Sequence, residues 1–558
     1  MSAANPSAEA KRALLEKYLR NAAQRPAAPT ATIPPRPADQ PIPLSIGQQQ
    51  LWFLSQLLGD APAYNESATV HIPGPLDVPT LEASFAEVLR RHEAWRTIFA
   101  LVDGQPVQRV LPPVPVSLPV VDLTHLPAAE REAEALRLAR EEVVRPFDIT
   151  AAPPWRATLV RLAEDSHRLY LAIHHIIFDG VAVFQVLLPE LSAIYASLRA
   201  GDAPSLPPLP ITYGDYAHWQ QSPEQMTERA RRMAHWRTQL ATPPSALDLP
   251  TDRPRPPLQT FRGAVRKFEV PPELVGRLRT LGQREGATLY MVMLAALKVL
   301  LYRQTGQTDL AIGTASSGRD RSELQGLLGL FLNTLVLRTD LGGDPSFLDL
   351  LRRVRETTIA ATANEVPFES LVQELRPERD LGRNPYFQVL ITLEPDVPAL
   401  PSGWSLTTLD VTTGTAKFDL SLKLDDRPSG LIGRFEYNTD LFDAATIDRL
   451  VGQFATLLAG IAERPAQAVA TLPLLPKEQW AELRAWNATD APFDAHCIHE
   501  LVAAQAARTP GAVAVVHNGR TLTYAALEAR ANQMARYLRA AGWCLAHWWR
   551  SPPTGRSR

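Results

Sequence analysis

Between Leu44 and Leu474 the chain alternates helical and strand periodicities, and this alternation most narrows the folds open to it. Thr80–Arg91 spaces its apolar residues as a helix does, Arg168–Ile176 alternates residue by residue as a strand does, and Ala182–Leu198 returns to helical spacing. Such a pattern predicts α/β layers, and no short solenoid-type repeat is visible. A proline-rich connector, Leu249–Gln259, falls near the middle, so two lobes are expected, residues 44–248 and 249–474. The second holds a long apolar helix, Leu289–Tyr302, and strand-like runs at Leu335–Leu341 and Leu431–Tyr437. Length asks for such a division, because single cores stop growing near ~250–300 residues and the chain has 558.

The flanks read differently. Residues 1–43 combine an amphipathic helix, Ala8–Asn21, with a proline-rich linker; Ala10, Leu14, Leu15, Tyr18 and Leu19 form its apolar stripe. That helix either rests on the next domain or docks a partner. Residues 475–495 are polar and tryptophan-bearing, as in a linker, and residues 496–543 form a small αβ unit. In it His499–Arg508 is helical, Ala512–Val516 is a strand, Asn518-Gly519 makes a hairpin turn, and Leu522–Ala541 runs from strand into helix. Residues 544–558 lose all apolar period and read as an irregular tail.

Composition removes several function classes. A net charge of −2 supplies no field for a polyanion or an acidic membrane surface, so neither nucleic acid nor membrane is an expected partner. Two cysteines, Cys497 and Cys544, make no disulfide framework, and Met1–Arg20 lacks the apolar region of a signal peptide. The most apolar run, Leu289–Leu301, is too short to span a bilayer and contains Lys298. A cytoplasmic protein is expected.

The run His174-His175-Ile176-Ile177-Phe178-Asp179-Gly180 is the chemical centre of the sequence. It ends the strand Leu169–His175, where neighbouring side chains point to opposite faces, so the two imidazoles diverge and a dihistidine metal site is disfavoured. Two satisfied core histidines are the plain alternative. Asp179-Gly180 follows at the strand-to-helix turn, however, with a residue able to hold an arginine or a cap and one that admits close approach to the backbone. A neutral histidine suits proton acceptance from an amine attacking a thioester carbonyl. Neither a Gly-x-Ser-x-Gly elbow nor a Gly-x-x-x-x-Gly-Lys-Ser/Thr loop is present, which argues against a serine acyl-enzyme and phosphoryl transfer.

These seven residues resemble the HHxxxDG motif of the condensation domains of nonribosomal peptide synthetases, in the chloramphenicol-acetyltransferase-like superfamily. Six further stretches resemble that family's motifs in order: Ser45–Leu54, Arg91–Phe99, Tyr213–Trp219, Gly329–Arg338, Asn364–Glu369 and Arg379–Gln388. The resemblance implies two acetyltransferase-like αβ lobes in a V-shaped pseudo-dimer, with a tunnel reached from two sides. Donor and acceptor would arrive as thioesters on the phosphopantetheine arms of carrier (thiolation) proteins or of an upstream synthetase polypeptide. It implies that the chain itself binds no cofactor or metal. His175 matches the family's catalytic histidine, argued to be either a general base or a positioner of the amine. His174 and Asp179 match supporting residues, the aspartate through a salt bridge for which Arg319 is the candidate partner. Gly180 would border the pantetheine path, and Arg91, Arg96 and Asn333 match polar motif positions.

Trp95 departs from the family, standing where its second motif usually has leucine, and Pro189 should kink or restart the helix after the site. Ile498–Arg508 and Leu522–Leu527 resemble the opening of an adenylation domain. The glycine-rich and lysine-bearing elements of an ATP site do not follow, so no complete adenylation activity is expected, and truncation or a frame error after Trp543 is one explanation of the tail. His496-Cys497-Ile498-His499 lacks a second ligand cluster and reads as a helix start rather than a metal knuckle. Two other functions stay open: a free-standing acyltransferase using acyl-CoA, and an inactive carrier-binding remnant.

Overall fold

The computed structural model describes residues 32–543 except 60, 378–379, 381, 395–399, 401–402, 407–410, 428 and 492–495. The helix expected at Ala8–Asn21 and the tail 544–558 lie outside the described residues. Two compact units divide at Pro476/Lys477.

In the first unit, the N-terminal lobe carries β1 (Ile42–Pro43), β2 (Asn65–Pro73), β3 (Thr97–Val102), β4 (Gln105–Val110), β5 (Val120–Asp122), β6 (Trp155–Ala163) and β7 (Ser166–His174). β1, β4 and β3 form a small sheet, and β2, β7, β6 and β5 lie side by side in a larger one. β2 and β7 pair antiparallel from Asn65↔His174 to Pro73↔Ser166. The alternation sends Leu169, Leu171 and Ile173 into one core with Ala68, Val70 and Ile72 of β2 and with Leu81, Phe85 and Val88 of the helix Val78–Arg91. Tyr170 enters a smaller cluster on the other face with Ala135 and Ala139. Trp95 fits because Trp155 tilts against it with ring centroids 5.5 Å apart and donates its indole N–H to the Trp95 carbonyl at 2.9 Å. Tryptophan-sized space is thus part of this core.

The C-terminal lobe adds β8 (Gly263–Val270), β9 (Asp309–Ser316), β10 (Asn333–Asp340), β11 (Val389–Glu394), β12 (Ser405–Leu406), β13 (Leu420–Arg427) and β14 (Gly430–Asn438). Six of these form a sheet in the order β10-β9-β11-β13-β14-β8, with β11 parallel to both neighbours and the other pairs antiparallel. Leu420, Leu422 and Leu424 face a core filled by Leu289–Thr305 and Ala444–Glu463. Lys298, the charge inside that apolar helix, is fully buried and donates to the carbonyls of Leu310 and Leu337 at 2.9 and 2.8 Å. Burial pushes its ammonium down to about 7.

The halves are less separate than the connector predicts. β12, from the second half, pairs with β2 and extends the N-terminal sheet, and Leu324, Leu327, Leu328, Leu330 and Phe331 enter the N-terminal core. The end of the proline-rich linker is also structural. Ile33 is buried, and Arg36 donates to Glu93 at 2.8 Å and to Thr212 at 2.6 Å.

The second unit contains the helix Lys477–Trp486, where linker was expected, then Ile498–Arg508, the hairpin β15 (Val513–His517) and β16 (Arg520–Thr523), and Tyr524–Ala540. Asn518 and Gly519 both have positive φ, 47° and 73°, the backbone that a two-residue hairpin turn requires. Among the described residues no single helix is long and apolar enough to cross a membrane.

Candidate active site

β7 ends at His174, and His175–Ile177 turn as a single 3₁₀ turn before Phe178, Asp179 and the next helix. His175 is therefore the first residue of the turn rather than the last of the strand. Two bonds make the turn: Phe178 N–H donates to the His175 carbonyl at 3.3 Å, and Ile176 N–H donates to Nδ1 of His174 at 3.2 Å. Gln48 steadies it from below, donating to the Ile176 carbonyl at 3.1 Å. Asp179 then caps the next element by accepting from Ala182 N–H at 2.7 Å. That element begins as a π-helix, Ala182–Leu187, and becomes α-helical over Leu188–Ala200 with Pro189 in its first turn, the restart that proline demands.

The two histidines hold opposite tautomers. Nδ1 of His174 accepts a backbone N–H, so its proton resides on Nε2. Nδ1 of His175 faces the Phe178 carbonyl at 3.1 Å, and a carbonyl only accepts, so His175 carries its proton on Nδ1 and leaves Nε2 as a bare acceptor. The His175 ring stacks on Phe178 with centroids 4.8 Å apart, while His174 meets the edge of Phe147 on the other side. Burial, reinforced by Lys417, lowers the His175 imidazole to about 4. Burial and the neighbouring His175 lower His174 to about 3, so both rings are neutral near pH 7.

Asp179 and Arg319 come together across the two halves of the chain. The guanidinium Nη2 lies 3.3 and 3.5 Å from the carboxylate oxygens, and both side chains are 1% exposed. Asp179 also accepts from Phe331 N–H at 2.9 Å, and Arg319 packs over the Phe331 ring at 4.2 Å. Burial pushes the Asp179 carboxyl up; Arg319 and the two backbone N–H groups pull it back. The turn that delivers Arg319 needs glycine at 318, where φ is +62° and a Cβ would lie 2.0 Å from the Phe331 carbonyl oxygen.

Sequence reasoning missed Glu66 and Lys417. Oε1 of Glu66 lies 3.7 Å from Nε2 of His175 and accepts from Lys417 Nζ at 3.2 Å. Burial raises the Glu66 carboxyl, but Lys417, Lys423 and His175 overcome it and lower the group to about 2. The signal was there: Ala68, Val70 and Ile72 mark the core face of β2, and Glu66 puts a charge where that face continues.

The remaining positions divide. A Cβ on Gly180 would stand 3.5 Å from the Glu394 carboxylate and 3.9 Å from Phe184, ordinary contacts, so the chain itself does not require glycine there. Arg91 pairs with Glu190 at 3.1 Å and donates to the Pro207 carbonyl at 3.0 Å. Arg96 donates to the carbonyls of Leu89 and Leu111. Asn333 bonds Glu365, the Val366 carbonyl and Phe368 N–H at 2.9, 2.8 and 3.0 Å. These three tie motif segments together, and their polar atoms bond protein partners other than His175.

Comparison with known proteins agrees with this layout. Residues 38–484 match the profile of the family described as Condensation domain. The chain belongs to that family. The chain is 42% identical over 518 residues to a linear gramicidin synthase polypeptide of Brevibacillus parabrevis, covering 91% of this chain and 7% of that synthase. It superposes on the X-domain from teicoplanin biosynthesis with TM-score 0.70 and 30% identity, over 79% of this chain and 100% of that one. A four-domain nonribosomal peptide synthetase bound to AMP and glycine superposes with TM-score 0.72 and 22% identity, over 90% of this chain and 39% of that one. The condensation domain accordingly has the chloramphenicol-acetyltransferase-like two-lobed αβ fold, and its family's reaction class is amide-bond formation in nonribosomal peptide assembly. It spans a small part of the gramicidin synthase polypeptide's length.

Proposed function

We propose that this condensation domain joins a donor acyl or peptidyl thioester to an acceptor aminoacyl thioester, each presented on the phosphopantetheine of a carrier protein. The carrying observation is Nε2 of His175: a neutral acceptor, pinned through Nδ1 to the Phe178 carbonyl and left without a hydrogen-bond donor among the described residues. The acceptor nitrogen attacks the donor carbonyl, the C–N bond forms and the C–S bond breaks. One amine proton leaves through Nε2 of His175 and ends on the departing thiolate. His174 supports by capping the turn, and Asp179 with Arg319 by holding the loop against the 319–331 segment. Gly180, where the protein leaves room for a Cβ, borders the path of the pantetheine arm.

The segment 496–543 is in this reading the opening of an adenylation domain, which does not activate amino acids by itself. Two things support it: the αβ elements fall on the adenylation-like motifs, and the four-domain synthetase aligns over 90% of the chain where the X-domain aligns over 79%.

The test is incubation of the purified chain with one donor-loaded and one acceptor-loaded carrier, beside His175→Ala. Amide product with the first and a loss of roughly 10²–10⁴-fold with the second is expected. Equal product from both refutes the role of His175, and transfer from free acyl-CoA without carriers refutes carrier dependence.

A further inference from the structure

The position of Glu66 gives the site a preference that His175 alone would lack. Nε2 of His175 carries a lone pair because Nδ1 holds the ring proton against Phe178. Oε1 of Glu66 stands 3.7 Å away, beyond hydrogen-bond distance, and Lys417 holds that carboxylate at 3.2 Å. Two acceptors therefore face one gap with no hydrogen between them. Glu66 remains 38% exposed and His175 16% exposed, so the gap is open to a ligand.

We infer that Glu66 and His175 form a two-acceptor slot for the acceptor's neutral primary amine, and that Glu66 is the residue that makes the site choose an amine over a hydroxyl. This rests on the functional reading above. A single nitrogen fits at roughly 2.8–3.0 Å from both acceptors and gives one N–H to each. Its lone pair then points away from both, toward an electrophile. A hydroxyl has one hydrogen, so it can serve only one of the two acceptors and forgoes the second hydrogen bond, which for Glu66 is a bond to a charged group. Lys417 keeps Glu66 ionised and thus an acceptor, and its own charge disfavours an ammonium in the slot. Lys423 also faces Glu66, and its pairing with Glu436 at 3.0 Å leaves Lys417 as the cation bonded there.

Binding of glycyl- and glycolyl-pantetheine amides, identical but for amine against hydroxyl, tests the inference without turnover. At about pH 8.5, where an α-amine is largely neutral, calorimetry should give the intact chain a preference for the glycyl compound of roughly tenfold to a hundredfold, the range for a hydrogen bond to a charged group. Glu66→Met should bring the ratio near one, and Glu66→Met with Lys417→Met should do the same, which removes an unpaired lysine as the cause. Lys417→Met alone should keep most of the preference. A ratio near one in the intact chain, or one that survives Glu66→Met, overturns the inference. A chain that discriminates in binding but makes no amide upholds the slot and refutes the functional reading.

Discussion

Two ion pairs flank the same loop and behave as opposites. Asp179–Arg319 is sealed, with both side chains 1% exposed, two backbone donors on the carboxylate and carbonyls of Leu324 and Leu327 on the guanidinium. Glu66–Lys417 is open, with side chains 38% and 24% exposed. The first makes its polar contacts inside the protein and therefore fixes shape. The second keeps solvent access beside His175 and therefore remains available to a ligand. Proximity to the catalytic candidate does not separate the roles of these charges; their solvation does.

The contrast breaks most easily at the sealed pair. Asp179→Ala leaves Arg319 buried without its counter-charge and should destabilise the fold by ~3–5 kcal/mol, read from the urea midpoint, with activity lost as a consequence. If stability is unchanged, the pair is not structural. His175→Ala should lower amide formation by roughly 10²–10⁴-fold with an unfolding midpoint close to that of the intact chain; a shared collapse of both readouts would make His175 a packing residue. Next in size is the pH response. Burial and Lys417 hold His175 near 4, below the free value of about 6.5, so its neutral form and the stability it contributes are fully present above ~6.5 and are lost as pH falls through about 4. Imidazole NMR should show that titration, with Lys417→Met raising it and Glu66→Gln lowering it. The smallest effect belongs to the open pair: Lys417→Met removes a charge-assisted bond from a part-buried carboxylate and should cost about 1–3 kcal/mol, less than the sealed pair, and added salt should shrink the change.

Much of this was legible in sequence because it rests on periodicity. The alternation of Leu169, Leu171 and Ile173 gave β7 its buried face, and Pro189 marked the place where the π-helix gives way to an α-helix; the two histidines are parted by the turn that begins at His175, which strand periodicity does not show. Seven ordered motifs named the family and through it the Asp179–Arg319 partnership, which no local pattern discloses for residues so far apart in the chain. Other features escaped for physical reasons. Apolar runs such as Leu324–Phe331 announce burial without saying in which core, so their entry into the N-terminal lobe was hidden. Prolines near Arg36 made a packed segment look like a tether. Glu66 is a single charge at the end of an apolar face, and its meaning appears only once Lys417 and His175 stand beside it.

The pairing of β12 with β2 has a consequence for synthesis. His71 and Val70 acquire their outer neighbours only when Ser405 and Leu406 have left the ribosome; at roughly 5–20 residues per second that is a wait on the order of tens of seconds with an open strand edge. An unpaired edge is a template for pairing with other chains. Splitting the protein at the proline-rich connector should therefore yield an N-terminal half prone to aggregate, and slowing initiation relative to elongation, so that fewer nascent edges coexist, should raise the soluble yield of the whole.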